Sequence, residues 1–140
     1  MLRAAFTVIE ITVTLCILAV LTAIAMPQAA KLVDRIQVRG AVMDIESAFS
    51  GARHIAIARS AQSTVEIDTA SREIHVSVNG ETVRKRQIGA EHGVQISASR
   101  NRMSYAPTGI GYGAANLSVV VRRSSAVDTV VVSRLGRVRH

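Results

Sequence analysis

Apolar residues run almost without interruption from Phe6 to Met26, 21 positions that carry a single charge, Glu10. At ~1.5 Å of rise per helical residue this stretch is about 30 Å long, the thickness of a bilayer's hydrocarbon core. Thr7, Thr12, Thr14 and Thr22 dilute it. A threonine hydroxyl is tolerable there because it can bond a carbonyl one turn back. Past Pro27 the apolar positions narrow to a stripe. Val38, Val42, Ile45, Phe49, Ala52 and Ala56 recur at three- and four-residue spacing, while Asp34, Arg35, Arg39, Asp44, Glu46, Arg53 and Arg59 mostly fall off it. The two patterns predict one helix over residues 6–61, apolar all round in its first half and amphipathic in its second. Pro27 removes a backbone donor and crowds the preceding turn, so a kink is expected there. Gly40 and Gly51 each cost about 1 kcal/mol against alanine in a helix, which marks either further bends or close approach to a neighbour.

Beyond Ser63 the period drops to two. Val65 and Ile67 alternate with Thr64, Glu66 and Asp68, and Ile74, Val76 and Val78 repeat the alternation. Asn79-Gly80 follows, a strong hairpin signal because both central positions of its turn need positive φ. The return strand, residues 81–88, carries Arg84, Lys85 and Arg86 and reads as solvated. Val94 and Ile96 open a further alternating segment that Met103 and Tyr105 close. Pro107, Gly109, Gly111 and Gly113 mark a loop. It has no lysine after it and no helix start, so it does not read as a phosphate-binding turn. Two β-prone runs, residues 117–121 and 127–133, finish the pattern.

Composition constrains the core. Half the 140 residues are apolar and only 3% aromatic, so the core is aliphatic. The lone cysteine, Cys16, lies inside the apolar run and reads as a small hydrophobe. Charge is distributed unevenly. Residues 1–91 hold 10 basic and 9 acidic groups, whereas residues 92–140 hold seven arginines against Asp128 alone. Arginine binds phosphate and carboxylate through a planar fork, so this end points either to anionic partners or to a solvated arginine-rich surface.

Glu10 is the anomaly of the apolar run. An ionised carboxylate in a membrane costs several kcal/mol unless paired, or unless it sits shallow enough to reach headgroup water. The order of features around it resembles the N-terminus of type IV pilins and pseudopilins. Phe6, Thr7, Val8, Ile9 and Glu10 stand where that family's FTLIE-type motif stands, and Pro27 where its proline commonly lies. The resemblance implies a leader over residues 1–5, cleavage between Ala5 and Phe6 by a prepilin peptidase, and N-methylation of Phe6. It also implies pairing of Glu10 with a neighbouring subunit during filament assembly. Ala5 departs from the glycine that the family prefers before the cut.

The C-terminus narrows the resemblance. The last residues, from Val130 to His140, contain Gly136-Arg137-Val138-Arg139. Together with the long helix and the alternating β-segments, they resemble the GspH/FimT family of minor pilins and pseudopilins. The likeness is weakest over residues 81–102. In FimT-like members the Gly-Arg-x-Arg motif is associated with DNA binding during uptake. Independently of the family, Gly136 permits a backbone conformation that other residues avoid. Arg137 and Arg139, two apart in an extended segment, point to one side. Arg134 and the doublet Arg122-Arg123 are candidates to extend the patch. With two tyrosines and two phenylalanines, stacking on bases is poorly supplied, so binding would be to the backbone and indifferent to sequence. The alternative is a solvated tail.

An enzyme is not expected. His54, His75, His92 and His140 lack metal-ligand spacing, and no nucleophile setting is recognisable. No metal or cofactor is called for. The expected architecture is α+β and pilin-like, with a long N-terminal membrane-spanning helix packed against a small antiparallel sheet. Its parts are residues 1–5 (leader), 6–27 (transmembrane half), 28–62 (amphipathic half) and 63–140 (β-rich periplasmic domain). The expected role is a minor pilin or pseudopilin of the inner membrane. Its partners would be other pilins or pseudopilins, the peptidase, the inner membrane, and DNA through the C-terminal arginines. A different reading is a secreted β-domain protein cut after Ala23-Ile24-Ala25, a small-x-small site.

Overall fold

A computed structural model describes residues 7–112, 116–133 and 135–139. Helix α1 (Val8–Ala58) is followed by strands β1 (Ser63–Asp68), β2 (Glu73–Val78) and β3 (Glu81–Arg86), then a one-turn helix α2 (Ile88–His92). Strands β4 (Gln95–Ala98), β5 (Arg102–Tyr105), β6 (Gly111–Tyr112), β7 (Leu117–Arg123), β8 (Ala126–Val132) and β9 (Val138–Arg139) complete the chain. It divides into two compact units, Met1–Val33 and Asp34–His140.

In the first unit every described residue is solvent-exposed, although most are apolar. Mean hydropathy in its best 18-residue window is 2.5, and the helix is long and apolar enough to cross a membrane. The threonines behave as expected. Thr12, Thr14 and Thr22 donate to the carbonyls of Val8, Glu10 and Leu18 at 2.8, 2.7 and 2.7 Å. The hydroxyls therefore present no unpaired donor along the apolar surface.

In the second unit the rest of α1 supplies one wall of the core. Val38, Ala41, Val42, Ile45, Ala48, Phe49, Ala52 and Ala56 are buried, the stripe that the spacing predicts. Two antiparallel sheets supply the other walls, one ordered β3-β2-β1-β5-β6 and the other β4-β7-β8-β9. Strict alternation turns Val65, Ile67, Ile74 and Val76 of the first sheet, and Leu117, Val119, Val121, Val130 and Val132 of the second, into one cluster with the helix. Full burial of each such side chain is worth about 1.5–3 kcal/mol. Ser63 is the buried polar member, and its hydroxyl donates to the Ala52 carbonyl at 2.7 Å. The core therefore lies between Val38 and Val132, inside the second unit.

The Asn79-Gly80 hairpin forms with φ of +51° and +86° at its centre, as a primed turn requires. Several expectations are corrected. The helix ends at Ala58 rather than at residue 61. The expected single sheet is two, and the segment that looked continuous from Val94 to Tyr105 contributes β4 to one and β5 to the other. Alternation fixes which side chains face inward but not which neighbour a strand pairs with. The return strand stops at Arg86, and residues 88–92 form α2, whose Gly89 N–H donates to the Arg72 carbonyl at 2.9 Å. Beyond the last β-prone run the chain adds a further short strand, β9, which pairs antiparallel with β8.

Candidate functional site

The return after β8 is built on Gly136. Its N–H donates to the Ser133 carbonyl at 2.8 Å, and the Ser133 N–H donates to the Arg137 carbonyl at 2.8 Å. The Arg137 N–H donates to Ser133 Oγ at 3.1 Å. Gly136 has φ +76°, and a Cβ there would lie 2.8 Å from Cε1 of Tyr105, so both conformation and space demand glycine. The turn sets β9 in register with β8 through Val132↔Val138 and Val131↔Arg139. Val138 packs against the core, and Arg137 and Arg139 flank it in solvent. Neither guanidinium has an acidic partner among the described residues.

Helix α1 completes this end of the domain. A groove of about 420 Å³ is lined by Ser50, Arg53, His54, Ile57, Gly136, Arg137 and Val138. Arg53 and His54 are both exposed. Sequence reasoning assigned Arg53 to the polar helix face and His54 to no site. No short-range signal links them to a motif more than 80 residues away, because the link is tertiary. Beneath the turn, Tyr105 is fully buried with a hydroxyl that has no partner among the described residues. Burial pushes that phenol up to about 12, against the opposing pull of the Arg53 charge. Arg134 lies outside the described residues.

The doublet Arg122-Arg123 is not part of this groove. In β7 Arg122 pairs with Val127, whereas the β8 partners of β9 pair with Leu117 and Ser118. Four residues of strand, about 14 Å, separate Arg122 from the position level with Arg139. Arg123 instead donates from Nε to Asp34 Oδ1 at 2.8 Å, and from Nη1 to the His92 carbonyl. The Arg123 and Ser124 hydrogen bonds hold the Asp34 carboxyl below its usual range.

At the other end of α1, Glu10 is the third helical residue. Its N–H bonds Thr7 through the carbonyl at 3.1 Å and through Oγ1 at 3.3 Å, so Thr7 is the cap and Glu10 faces the positive end of the helix dipole. Pro27 lies within α1, which continues through it. Ala5 and Phe6 lie outside the described residues.

Two further clusters are accounted for by their own contacts. Ligand-type atoms of Asp44, Glu91 and His92 lie within 4.8 Å of one another. The Arg86 guanidinium already bridges the two carboxylates, at 3.1 and 3.4 Å, and so supplies the positive charge a metal would bring. His92 bonds Asp44 at 2.9 Å and Gln37 at 3.1 Å. Its ring lies 2.9 Å from where a Gly40 Cβ would be, the close approach that this glycine signalled. A concavity on the outer face of the first sheet is lined by Thr64, Glu66, Asp68, His75, Ser77 and Arg102 among others. There Glu66 pairs with Arg102 at 3.3 Å across β1 and β5, a contact typical of a solvated sheet face.

No protein-family model and no curated protein matches the chain. Solved structures do. The type IV minor pilin FimU of Pseudomonas aeruginosa superposes with a TM-score of 0.65 at 11% identity, covering 77% of this chain and 90% of that one. The minor pseudopilin EpsH of the Vibrio cholerae type II secretion system superposes with a TM-score of 0.58 at 10% identity, covering 74% and 94%. The fold is that of these minor pilins and pseudopilins, an apolar N-terminal helix leading into antiparallel sheets.

Proposed function

We propose that the chain is a minor subunit of a type IV pilus or type II secretion pseudopilus. It is anchored by the first half of α1 and carries its β-rich domain on the periplasmic side of the inner membrane. One observation supports this above the others. A single 51-residue helix exposes apolar side chains all round at its start and forms the wall of a two-sheet core at its end. An ordinary secretion signal has no reason to continue as the core helix of its passenger, which weighs against cleavage after Ala25. In this reading a prepilin peptidase cuts between Ala5 and Phe6, and the new amine, methylated, pairs with Glu10 of a neighbouring subunit, neutralising two charges in a low dielectric. Glu10→Ala should insert and mature normally yet lose co-purification with other filament subunits. Undiminished co-purification would leave Glu10 only its place in the first turn of the helix. Mass spectrometry of the mature N-terminus tests the processing, since Phe6 supports this reading and Met26 the secreted one.

A second role is favoured by the groove in which Arg53 and Arg137 meet beside the Gly136 turn, with Arg137 and Arg139 both exposed and without an acidic partner among the described residues. The arrangement suits the backbone of duplex DNA, bound weakly at roughly micromolar or poorer affinity and without base readout. Arg137→Ala combined with Arg139→Ala should remove most of that binding and reduce the salt slope by about two, one per phosphate contact, with melting unchanged. Unaltered affinity and slope would reduce the motif to a strand end.

A further inference from the structure

The Glu66–Arg102 pair accounts for charge in the concavity on the first sheet but not for the hydroxyls beside it. Register places Thr82, Ser77, Thr64, Ser104 and Tyr112 side by side across the sheet, in the strand order β3-β2-β1-β5-β6. Directly paired residues share a face, so these hydroxyl-bearing side chains form one row. It lies on the outer face, because the flanking Val65, Val78 and Tyr105 are buried in the core. Four strand spacings of about 4.8 Å make the row roughly 19 Å long. Thr64 Oγ1 and Ser104 Oγ bond each other at 2.9 Å. A hydroxyl carries one donor and two acceptor positions, so the pair keeps capacity for a ligand. Tyr112 ends the row with an aromatic ring largely open to solvent. Between Val76 and Ser77 the register of β2 against β3 shifts, an irregularity of the kind that re-aims side chains beside binding sites. The concavity, about 640 Å³, lies over the Thr82, Ser77 and Thr64 end of the row and has the size of a small-ligand site.

The charges around the row select the kind of molecule that fits. Glu66 is engaged by Arg102 at 3.3 Å, and Glu73 by Lys85 at 2.9 Å and His75 at 3.4 Å. Asp68 accepts the N–H groups of Ala70 and Ser71 at 2.9 and 3.1 Å. Carboxylates on this face oppose a polyanion, and because each is already engaged, none is free to hold a polycation. An apolar partner would strip water from the hydroxyls and give them nothing in return. The ligand that matches is neutral and itself rich in hydroxyls that donate and accept, with C–H faces to lie on the Tyr112 ring. Strand spacing is also close to the length that one pyranose ring adds to an extended glycan, so successive rings meet successive hydroxyls. We infer that this row binds a neutral, extended polysaccharide of hexose or N-acetylhexosamine units. Thr82, Ser77, Thr64 and Ser104 are its hydrogen-bonding ligands and Tyr112 its stacking platform. The inference is independent of the anchoring, filament and DNA roles.

The full-length chain in a zwitterionic detergent without sugar headgroups tests it, with cellohexaose and chitohexaose as probes and backbone amide shifts as the readout. At least one probe should move the amides of Thr64, Ser77, Thr82 and Ser104 together and saturate in the millimolar range or below. Tyr112→Ala should weaken that binding roughly fivefold, whereas Tyr112→Phe, which keeps the ring, should stay within about twofold of the parent. Thr64→Val exchanges the hydroxyl for a methyl of the same shape and should weaken binding by a similar factor. If neither probe moves these amides, the site is overturned. Affinity unchanged in both Tyr112→Ala and Thr64→Val would overturn it as well. Shifts there that follow protein concentration and not sugar would assign the face to a second copy of the chain. Shifts caused by duplex DNA and by neither sugar would assign it to nucleic acid, and either result would overturn the glycan reading.

Discussion

The domain has two arginine-bearing ends, and they are built on different principles. Near Asp34, Arg123 is clamped by a carboxylate and a backbone carbonyl, and its neighbour Arg122 is exposed at the edge of a cleft, without an ion pair among the described residues. Near Arg53, 19 residues or about 28 Å further along α1, Arg137 and Arg139 are exposed and have no acidic partner among the described residues. They are held by a glycine turn pressed on the ring of Tyr105. One end is fixed by polar contacts and the other by packing. An arginine count does not separate them, because what distinguishes a structural guanidinium from an available one is whether the fold brings a carboxylate to it.

The packed end should break most severely. Gly136→Val combines a positive φ with a Cβ 2.8 Å from the Tyr105 ring. Strain and overpacking together should cost about 2–5 kcal/mol. Gly80→Val is the control, since Gly80 has φ +86° but nothing within 4 Å of its Cβ position. It should lose only the strain of about 1–2 kcal/mol. Denaturant melts that show equal losses would mean that the Gly136 turn is not seated on Tyr105, and the contrast between the two ends would fail.

The clamped end should break by a smaller amount and with a pH signature. The Asp34 carboxyl is held below its usual range by its hydrogen bonds from Arg123 and Ser124. A depressed folded value adds stability that is present above the unfolded value near 4 and is lost as pH falls through the folded one. Asp34→Asn should therefore melt below the parent by a constant margin at pH 5–8, and the margin should close as pH drops below about 4. A margin that does not change with pH would show that the amide and the carboxylate hold Arg123 equally well.

Much of this was legible along the chain, and what was not has a common cause. The helix was readable because its period changes from all-round apolar to a stripe between Pro27 and Val38. The β2–β3 hairpin was readable from Asn79-Gly80. Gly136 was singled out by the Gly-Arg-x-Arg motif that the C-terminus resembles, and the exposure of Arg137 and Arg139 on either side of Val138 fits two-residue alternation. The split of β4 from β5 was not readable, since Ile96 and Tyr105 face the same core from different sheets. Arg53 and His54 were missed, and Arg122 and Arg123 were grouped with the wrong end. Local pattern decides inside from outside, whereas partnership between distant segments is set by strand order.

The smallest expected effect tests what the packed end lacks. The Tyr105 side chain is buried with no partner for its hydroxyl among the described residues, so the group has lost water and gained nothing in return. Tyr105→Phe keeps the ring against Gly136 and removes that penalty, and the variant should be unchanged or up to about 1 kcal/mol more stable. The sign of the pH effect follows from the raised phenol. Its folded value is about 12, above the ordinary value near 10 in the unfolded chain. Stability is then complete below pH 10 and falls between pH 10 and 12, as the unfolded state releases a proton that the folded state retains. The parent should show this loss, and Tyr105→Phe should lack it. A Tyr105→Phe variant that melts well below the parent at pH 7 would mean that the hydroxyl is engaged by a polar group. The end that carries Arg137 and Arg139 would then be clamped much as the Asp34 end is.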